Sequence, residues 1–181
     1  MKIPTSSTAI SYGLMYGIAS KNHTFFYEGW DKSAINQYKR VVIANFCEAW
    51  IKEFCNINNI ACSDDGSHFT KSDEYDIIIN NKWKFDIKSS TVSDFMQVNA
   101  ALMHKKVDGY IFCKTNDNMD MIDIKGIIGK KKFWEESSFV KYGDNTPDGW
   151  CQKFKDGSNF IHYDSFTSVG LESIYKLRDI K

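Results

Sequence analysis

Two neighbouring segments, residues 75–79 and 83–88, constrain the fold of this chain more than any other feature of its sequence. Ile77-Ile78-Ile79 is an uninterrupted apolar run, which is typical of a buried central strand. Asn80-Asn81-Lys82 follows as a polar turn, and a second β-forming run begins at Trp83. The pattern therefore predicts a hairpin of two short strands inside a sheet.

Three charged residues lie on this hairpin, although a strand of this kind is expected to be buried. Asp76 begins the first strand, and Asp86 and Lys88 lie near the end of the second. Because side chains alternate along a strand, Asp86 and Lys88 share one face, while Phe85 and Ile87 share the other. An unpaired charge taken out of water is costly, so the three charges are expected to meet at the mouth of the hairpin.

Two carboxylates beside an amine suit the hydrolysis of a phosphodiester. Mg²⁺ takes hard oxygen ligands and is usually held by one or two carboxylates together with waters and substrate phosphate. Such a metal lowers the pKa of its bound water and neutralises charge on the phosphate. Asp76 and Asp86 are the candidate ligands, and Lys88 is the candidate group for holding the water or the phosphate.

The competing interpretation is an ordinary surface feature. Asp-x-Lys on a strand is common, and most instances are a solvated face with an ion pair. An unrelated α/β protein would then be the better description. A separation of Asp76 and Asp86 beyond about 8 Å would favour that description, because two ligands of one Mg²⁺ cannot span the gap.

The hairpin resembles the PD-(D/E)xK nuclease superfamily, the restriction-endonuclease-like fold. Asp76 matches its first acidic position and Asp86-Ile87-Lys88 matches its (D/E)xK element, while Tyr75 stands where the proline of the name would be. The order of helix, strand, strand, helix and strand between Ala34 and Cys113 also matches. The resemblance implies an α/β fold with a central mixed β-sheet flanked by helices.

The resemblance also implies a metal site and a third acid on the preceding helix. The implied cofactor is Mg²⁺, for which Mn²⁺ can substitute, and Ile87 joins the acids among the metal-binding positions. Glu48 is the candidate third acid, with Glu53 as its main rival. Position alone leaves open a surface role for Glu48, paired with Lys52 one turn later.

Further elements follow from the spacing of apolar residues. A long amphipathic helix is predicted over residues 33–56, and a second helix over residues 92–105. Strands are predicted over residues 110–113, 121–129 and 160–163, with a short helix over residues 171–177. Residues 11–18 are predicted to form a short helix or turn, and residues 23–28 a strand.

Several polar residues beyond the hairpin are candidates for contact with nucleic acid. Hydroxyl groups after the second strand suit phosphate contacts or helix capping, and lysines beside aromatic residues suit a phosphate backbone and stacked bases. Simple helix capping and a solvated face are the alternatives for the lysines. The candidates are Ser89, Ser90, Lys105, Lys106, Lys130, Lys131 and Lys132.

Composition bounds the class of protein. The chain has 181 residues and is predicted to be a single domain, residues 1–181, with a core of about residues 34–113, an N-terminal arm and a C-terminal extension. Its formal net charge of zero argues against binding nucleic acid over the whole surface, but not against a local basic cleft. Neither a spanning apolar run nor a secretory h-region occurs, so a cytoplasmic protein is predicted.

The five cysteines, an odd number without a Cys-x-x-Cys pair, are predicted to be reduced thiols. Zinc bound with His68 or His162 is the less favoured alternative, because metal-ligand spacing is missing. With the resemblance, the chain is expected to be a metal-dependent DNA endonuclease. The resemblance implies double-stranded or branched DNA as the substrate and a homodimer as the assembly, and no membrane partner is expected. The alternative is an inactive nuclease-fold module that binds nucleic acid or a protein.

Overall fold

A computed structural model describes residues 2–4, 6–20, 35–64, 74–166 and 168–169, together with Ile174 and Lys176. The strand predicted over residues 23–28, His68 and most of the helix predicted over residues 171–177 lie outside these residues. Among the described residues, no helix is long and apolar enough to cross a membrane.

Three helices and ten strands are described. The helices are α1 (Ser7–Ser20), α2 (Ile35–Ile57) and α3 (Lys130–Glu136). The strands are β1 (Lys2–Pro4), β2 (Cys62–Ser63), β3 (Ile77–Ile79), β4 (Trp83–Ser90), β5 (Phe95–Asn99), β6 (Gly109–Thr115), β7 (Met121–Gly129), β8 (Ser138–Val140), β9 (Ser158–His162) and β10 (Ser168–Val169). Two short 3-10 helices cover Ala100–His104 and Tyr163–Ser165.

The central sheet is mixed, as the sequence predicted. Its strands lie in the order β1-β7-β6-β4-β3-β2, and β10 pairs with β7 beside this path. Strands β4 and β6 are parallel, whereas the other described pairs in this sheet are antiparallel. A second sheet has the order β5-β9-β8. The predicted α/β class is therefore confirmed, and the arrangement is compatible with a restriction-endonuclease-like fold.

The predicted hairpin is strands β3 and β4, with Ile77 opposite Phe85 and Ile79 opposite Trp83. Asn80 and Asn81 have φ angles of 55° and 53°, a left-handed conformation that asparagine tolerates better than most residues. The side chains of Ile77 and Ile79 are fully buried. The local sequence thus sets the turn, and burial of the isoleucines fixes the register.

The central sheet has a hydrophobic core on each face. On one face, α2 packs Phe46 and Trp50 against residues that include Ile87 of β4. On the opposite face, Tyr110 of β6 packs with Phe133 of α3 and with the second sheet. Because Asp86 and Lys88 alternate with Ile87, they point to the second face, away from the α2 core.

The helix predicted over residues 92–105 is wrong. Phe95–Asn99 is strand β5, and only Ala100–His104 is helical, as a 3-10 helix. Met96 and Val98 are fully buried, whereas Gln97 between them is only partly buried, and this alternation is a strand pattern. Met96 pairs with Ile161 of β9, and Val98 pairs with Asn159. The pairing partner lies some sixty residues away in the chain, so a local window could not reveal it.

The remaining predicted elements agree with the structure where it describes them. Helix α2 covers the long predicted helix, and α1 covers residues 11–18. Strands β6 and β7 cover the predicted strands at residues 110–113 and 121–129. Strand β9 covers the one predicted at residues 160–163 except for Tyr163, which begins a 3-10 helix. The strand β5 and the 3-10 helix therefore make the connection between the parallel strands β4 and β6, where the resemblance implied a helix.

Candidate functional site

Asp76 is held against the neighbouring strand by its backbone and its side chain. Its amide donates to the carbonyl of Phe85 at 3.0 Å, which extends the hairpin by one residue. Its Oδ2 accepts a hydrogen bond from the backbone N–H of Ile87 at 2.5 Å. Both bonds place a buried carboxylate beside the stretch of β4 that carries Asp86 and Lys88.

Asp86 stands at the centre of a four-residue charge cluster, Asp76, Asp86, Lys88 and Lys105. Lys88 Nζ forms an ion pair with Asp86 Oδ2, and Lys105 Nζ forms one with Asp86 Oδ1. Lys105 Nζ also lies 3.5 Å from Asp76 Oδ1. The two carboxylates therefore converge on one ammonium group, so a separation beyond about 8 Å is excluded.

Lys105 reaches the cluster from the end of the first 3-10 helix. Its backbone N–H donates to the carbonyl of Leu102 at 2.9 Å and ends that helix. Its carbonyl accepts from Lys130 Nζ at 2.7 Å. The sequence offered Lys105 as a nucleic-acid contact or a helix cap. Its pairing with the two aspartates was missed, because it depends on the path of the chain between β5 and β6.

The lysines keep Asp86 ionised although its side chain is only 1% exposed. Burial alone raises the pKa of a carboxyl, but the charges of Lys88 and Lys105 outweigh burial and lower the pKa of Asp86 to about 2. Oδ2 of Asp86 is buried, and the Lys88 ammonium contacts it directly.

These features fit a divalent metal held by two carboxylates. The Lys105 ammonium lies where both Asp76 and Asp86 can reach a cation, and Mg²⁺ needs no more than one or two carboxylates from a protein. Across the described part of the chain, no three His, Cys, Asp or Glu side chains form a set that could hold a metal ion. A metal here would rest on Asp76 and Asp86, and the roles of Glu48 and Ile87 as further ligands stay predictions.

The two candidate helix acids differ in their surroundings. Glu48 is buried, with 9% of its surface exposed, on the helix that packs against the face of the sheet opposite Asp86. Glu53 accepts a hydrogen bond from Ser6 Oγ at 2.5 Å, which ties it to the start of α1. Glu53 thus has a structural partner at the start of α1.

A cavity of about 600 Å³ opens beside the cluster, at the end of β4. Lys88, Ser89 and Ser90 line it, so both predicted serines and the predicted lysine share one space. Ser90 Oγ also accepts from the backbone N–H of Ser93 at 2.8 Å, in the turn between β4 and β5, so it caps no helix there. The Lys88 side chain is therefore accessible from the cavity.

The other predicted lysines are not members of the charge cluster, although Lys130 Nζ bonds to the backbone of Lys105. Lys106 is exposed. Lys131 and Lys132 pair along α3 with Glu135 and Glu136, each at 3.8 Å. Phe133, which follows them, is fully buried, as expected if α3 has a solvated face and a buried aromatic. Contact of these lysines with DNA stays a prediction.

A second Asp-x-Lys, Asp123-Ile124-Lys125 on β7, tests how much the spacing alone means. Lys125 Nζ lies 2.8 Å from Asp123 Oδ2, so this pair also forms along one strand face. The Asp123 side chain is 17% exposed, against 1% for Asp86. Burial, the second carboxylate and the neighbouring cavity distinguish the Asp86 site, and the three-residue spacing does not.

All five cysteines are free thiols.

No family model matches the chain, and no curated protein matches it. The fold and the site therefore define the class of protein. It is an α/β protein with a buried cluster of two aspartates and two lysines beside a cavity.

Proposed function

We propose that this chain is a metal-dependent nuclease that hydrolyses phosphodiester bonds in DNA. The observation that carries the proposal is the convergence of Asp76 and Asp86 on one cation position, with Lys88 bound to Asp86 at the edge of a cavity. The resemblance of Asp76 and Asp86-Ile87-Lys88 to the PD-(D/E)xK pattern supports it. A cytoplasmic location and a homodimer belong to the same proposal.

In this proposal each residue of the cluster has a separate task. Asp76 and Asp86 hold the metal, which when bound acidifies water and offsets charge on the phosphate. Lys88 orients the attacking water or contacts the scissile phosphate from the cavity side. The hydrogen bond from the Ile87 N–H orients Asp76, and the ion pair with Lys88 orients Asp86.

The test is cleavage of supercoiled plasmid, four-way-junction and single-stranded DNA with Mg²⁺ or Mn²⁺. Asp86→Asn is expected to lose cutting by at least about a hundredfold, because it removes a metal ligand with little change of shape. Asp123→Asn is the matched control, since it alters the other Asp-x-Lys, and it is expected to cut like the native chain. Equal cutting by both variants would refute the assignment, and native protein that cuts no DNA would refute the function.

A binding module is the second candidate, and one observation favours it. Both oxygens of Asp86 already face lysine ammonium groups, so the cluster is electrically neutral without any metal. A purely structural ion-pair cluster would look the same. Titration with Mn²⁺ separates the two: a structural cluster binds no divalent ion at millimolar concentration, whereas a nuclease site binds one that Asp86→Asn removes.

A further inference from the structure

The cavity beside the cluster is built between parts of the chain that lie far apart in sequence. Its floor includes Lys88 and the residues after β4, and its walls include Gln97 of β5 and Phe160 of β9. The loop that carries Trp150 and Gln152 covers another side. Its volume of about 600 Å³ falls within the range of pockets that enclose small organic ligands.

Gln152 places a buried hydrogen-bond donor in the cavity wall. The side chain is 1% exposed, and its Oε1 accepts from the backbone N–H of Phe154 at 2.9 Å, which fixes the orientation of the amide. Its Nε2 is buried and has no acceptor among the described residues. Buried donors are nearly always paired, so this one points to an acceptor supplied by a ligand.

The rest of the lining suits a flat, partly apolar group attached to an anion. Phe95, Phe112 and Phe160 form apolar surface, and Trp150 stands at the rim with 70% of its surface exposed. The charged lining residues are Arg40, Lys88, Lys153 and Asp148. Asp148 accepts from Ser93 Oγ at 2.5 Å. Three cations against one acid make the charge balance of the lining positive.

We propose that this cavity binds one unpaired nucleotide of a DNA strand, next to the phosphate that Lys88 contacts. The base enters between the aromatic walls, as bases do in enzymes that take a nucleotide out of the stack. Gln152 Nε2 donates to an acceptor of the base, and Trp150 stacks at the rim. The inference deepens the proposed nuclease function and rests on it: the substrate is DNA with an unpaired nucleotide at the cleavage position.

Binding is measured without catalysis, by fluorescence anisotropy in EDTA. The probes are a fluorescein-labelled duplex with a single-nucleotide bulge and the same duplex fully paired. The native chain is expected to bind the bulge at least about fivefold more tightly, which is the lower end of what one stacked base contributes. Thymidine 5′-monophosphate is expected to compete only weakly, and tight binding of this free nucleotide would overturn the assignment to a DNA strand.

Two variants locate the binding. Trp150→Ala changes an exposed side chain, so its fold is preserved, and it is expected to lose the preference for the bulge. Gln152→Glu keeps the acceptor for the Phe154 N–H but removes the Nε2 donor, and it is also expected to lose the preference for the bulged duplex. Asn159→Asp is the matched control, because Asn159 is a buried amide that donates to Ser137 Oγ at 2.9 Å and does not line the cavity.

The outcomes separate this proposal from the nuclease proposal. Equal binding of both duplexes by the native chain, or an unchanged preference in Trp150→Ala, would overturn the pocket even if the protein cuts DNA. A bulge preference that both cavity variants abolish would support the pocket even if the native chain cuts no DNA. Circular dichroism of each variant confirms that the fold is retained.

Discussion

At the scale of single residues, the ammonium group of Lys105 occupies the position between the two aspartates that a bound metal ion would take. Its ammonium contacts Asp86 Oδ1 and lies 3.5 Å from Asp76 Oδ1. Lys88 and Lys105 together neutralise the two acids, and a divalent ion held by both acids would have to displace Lys105. Lys88, on the other oxygen of Asp86, can keep its place when a metal binds.

Replacing Lys105 with methionine is expected to tighten the binding of Mn²⁺ by about tenfold or more. Hydrogen bonds to charged groups contribute about 1.5–3 kcal/mol, and the variant no longer has to break one. Isothermal titration measures the dissociation constant directly. Lys114→Met is the matched control, because Lys114 pairs with Asp94 at 2.6 Å outside the cluster. Weaker binding in Lys105→Met would show that the lysine supports the metal.

Tyr110, buried opposite Asp86 in the sheet, is expected to make stability fall in alkali. Burial raises the pKa of Tyr110 to about 12, although a hydrogen bond from Trp134 Nε1 to its oxygen opposes the rise. The unfolded chain, with a phenol pKa near 10, then loses its proton first, so stability is full below pH 10 and declines as pH rises towards 12. Native protein should lose about 1.4 kcal/mol more than Tyr110→Phe between pH 9 and pH 11 in urea unfolding. Parallel losses in the two proteins would contradict the assignment.

At the scale of elements, the connection between β4 and β6 decides where the charged groups meet. Strand β5 carries the chain into the second sheet, and the 3-10 helix returns it so that Lys105 faces Asp86. The N–H of Asp108 then donates to the carbonyl of Lys84 at 2.8 Å, and β6 begins beside β4.

Close approach of β6 and β7 at this point requires glycine. Gly109 lies opposite Gly129, and a Cβ at Gly109 would lie 2.5 Å from the carbonyl oxygen of Ile128. Gly109→Ala is therefore expected to destabilise the fold by about 1–3 kcal/mol, the usual cost of overpacking. Gly129→Ala is the control, because a Cβ there meets nothing within 4 Å and its φ is −64°. Chemical denaturation of both variants tests the contrast, which equal midpoints would disprove.

At the scale of the whole molecule, two sheets and a long loop enclose the cavity next to the charge cluster. The loop is closed by the bond from the Gly143 N–H to the carbonyl of Gln152 at 2.9 Å. The central sheet supplies Lys88, and the second sheet supplies Gln97 and Phe160. The site is therefore a property of the assembled layers and not of one motif.

Removing divalent metal with EDTA is expected to leave the chain folded, since the cluster is neutral without it. Adding Mg²⁺ at a hundred times its dissociation constant should raise the free energy of unfolding by about 2.7 kcal/mol, because the ion binds only the native state. Thermal unfolding with and without EDTA measures both effects. Unfolding in EDTA alone would mean that the lysines do not replace the metal.

The sequence by itself determined the hairpin and the pairing of Asp86 with Lys88. Both follow from local rules, because a polar turn, buried isoleucines and alternation along a strand act over a few residues. The same alternation applies to Asp123 and Lys125, so the Asp-x-Lys spacing alone could not say which pair is buried. Only the tertiary structure decided that, since burial depends on strands paired across the whole chain. It also replaced the helix over residues 92–105 with β5, brought Lys105 to the acids and formed the cavity around Gln152, all of which rest on contacts between distant segments.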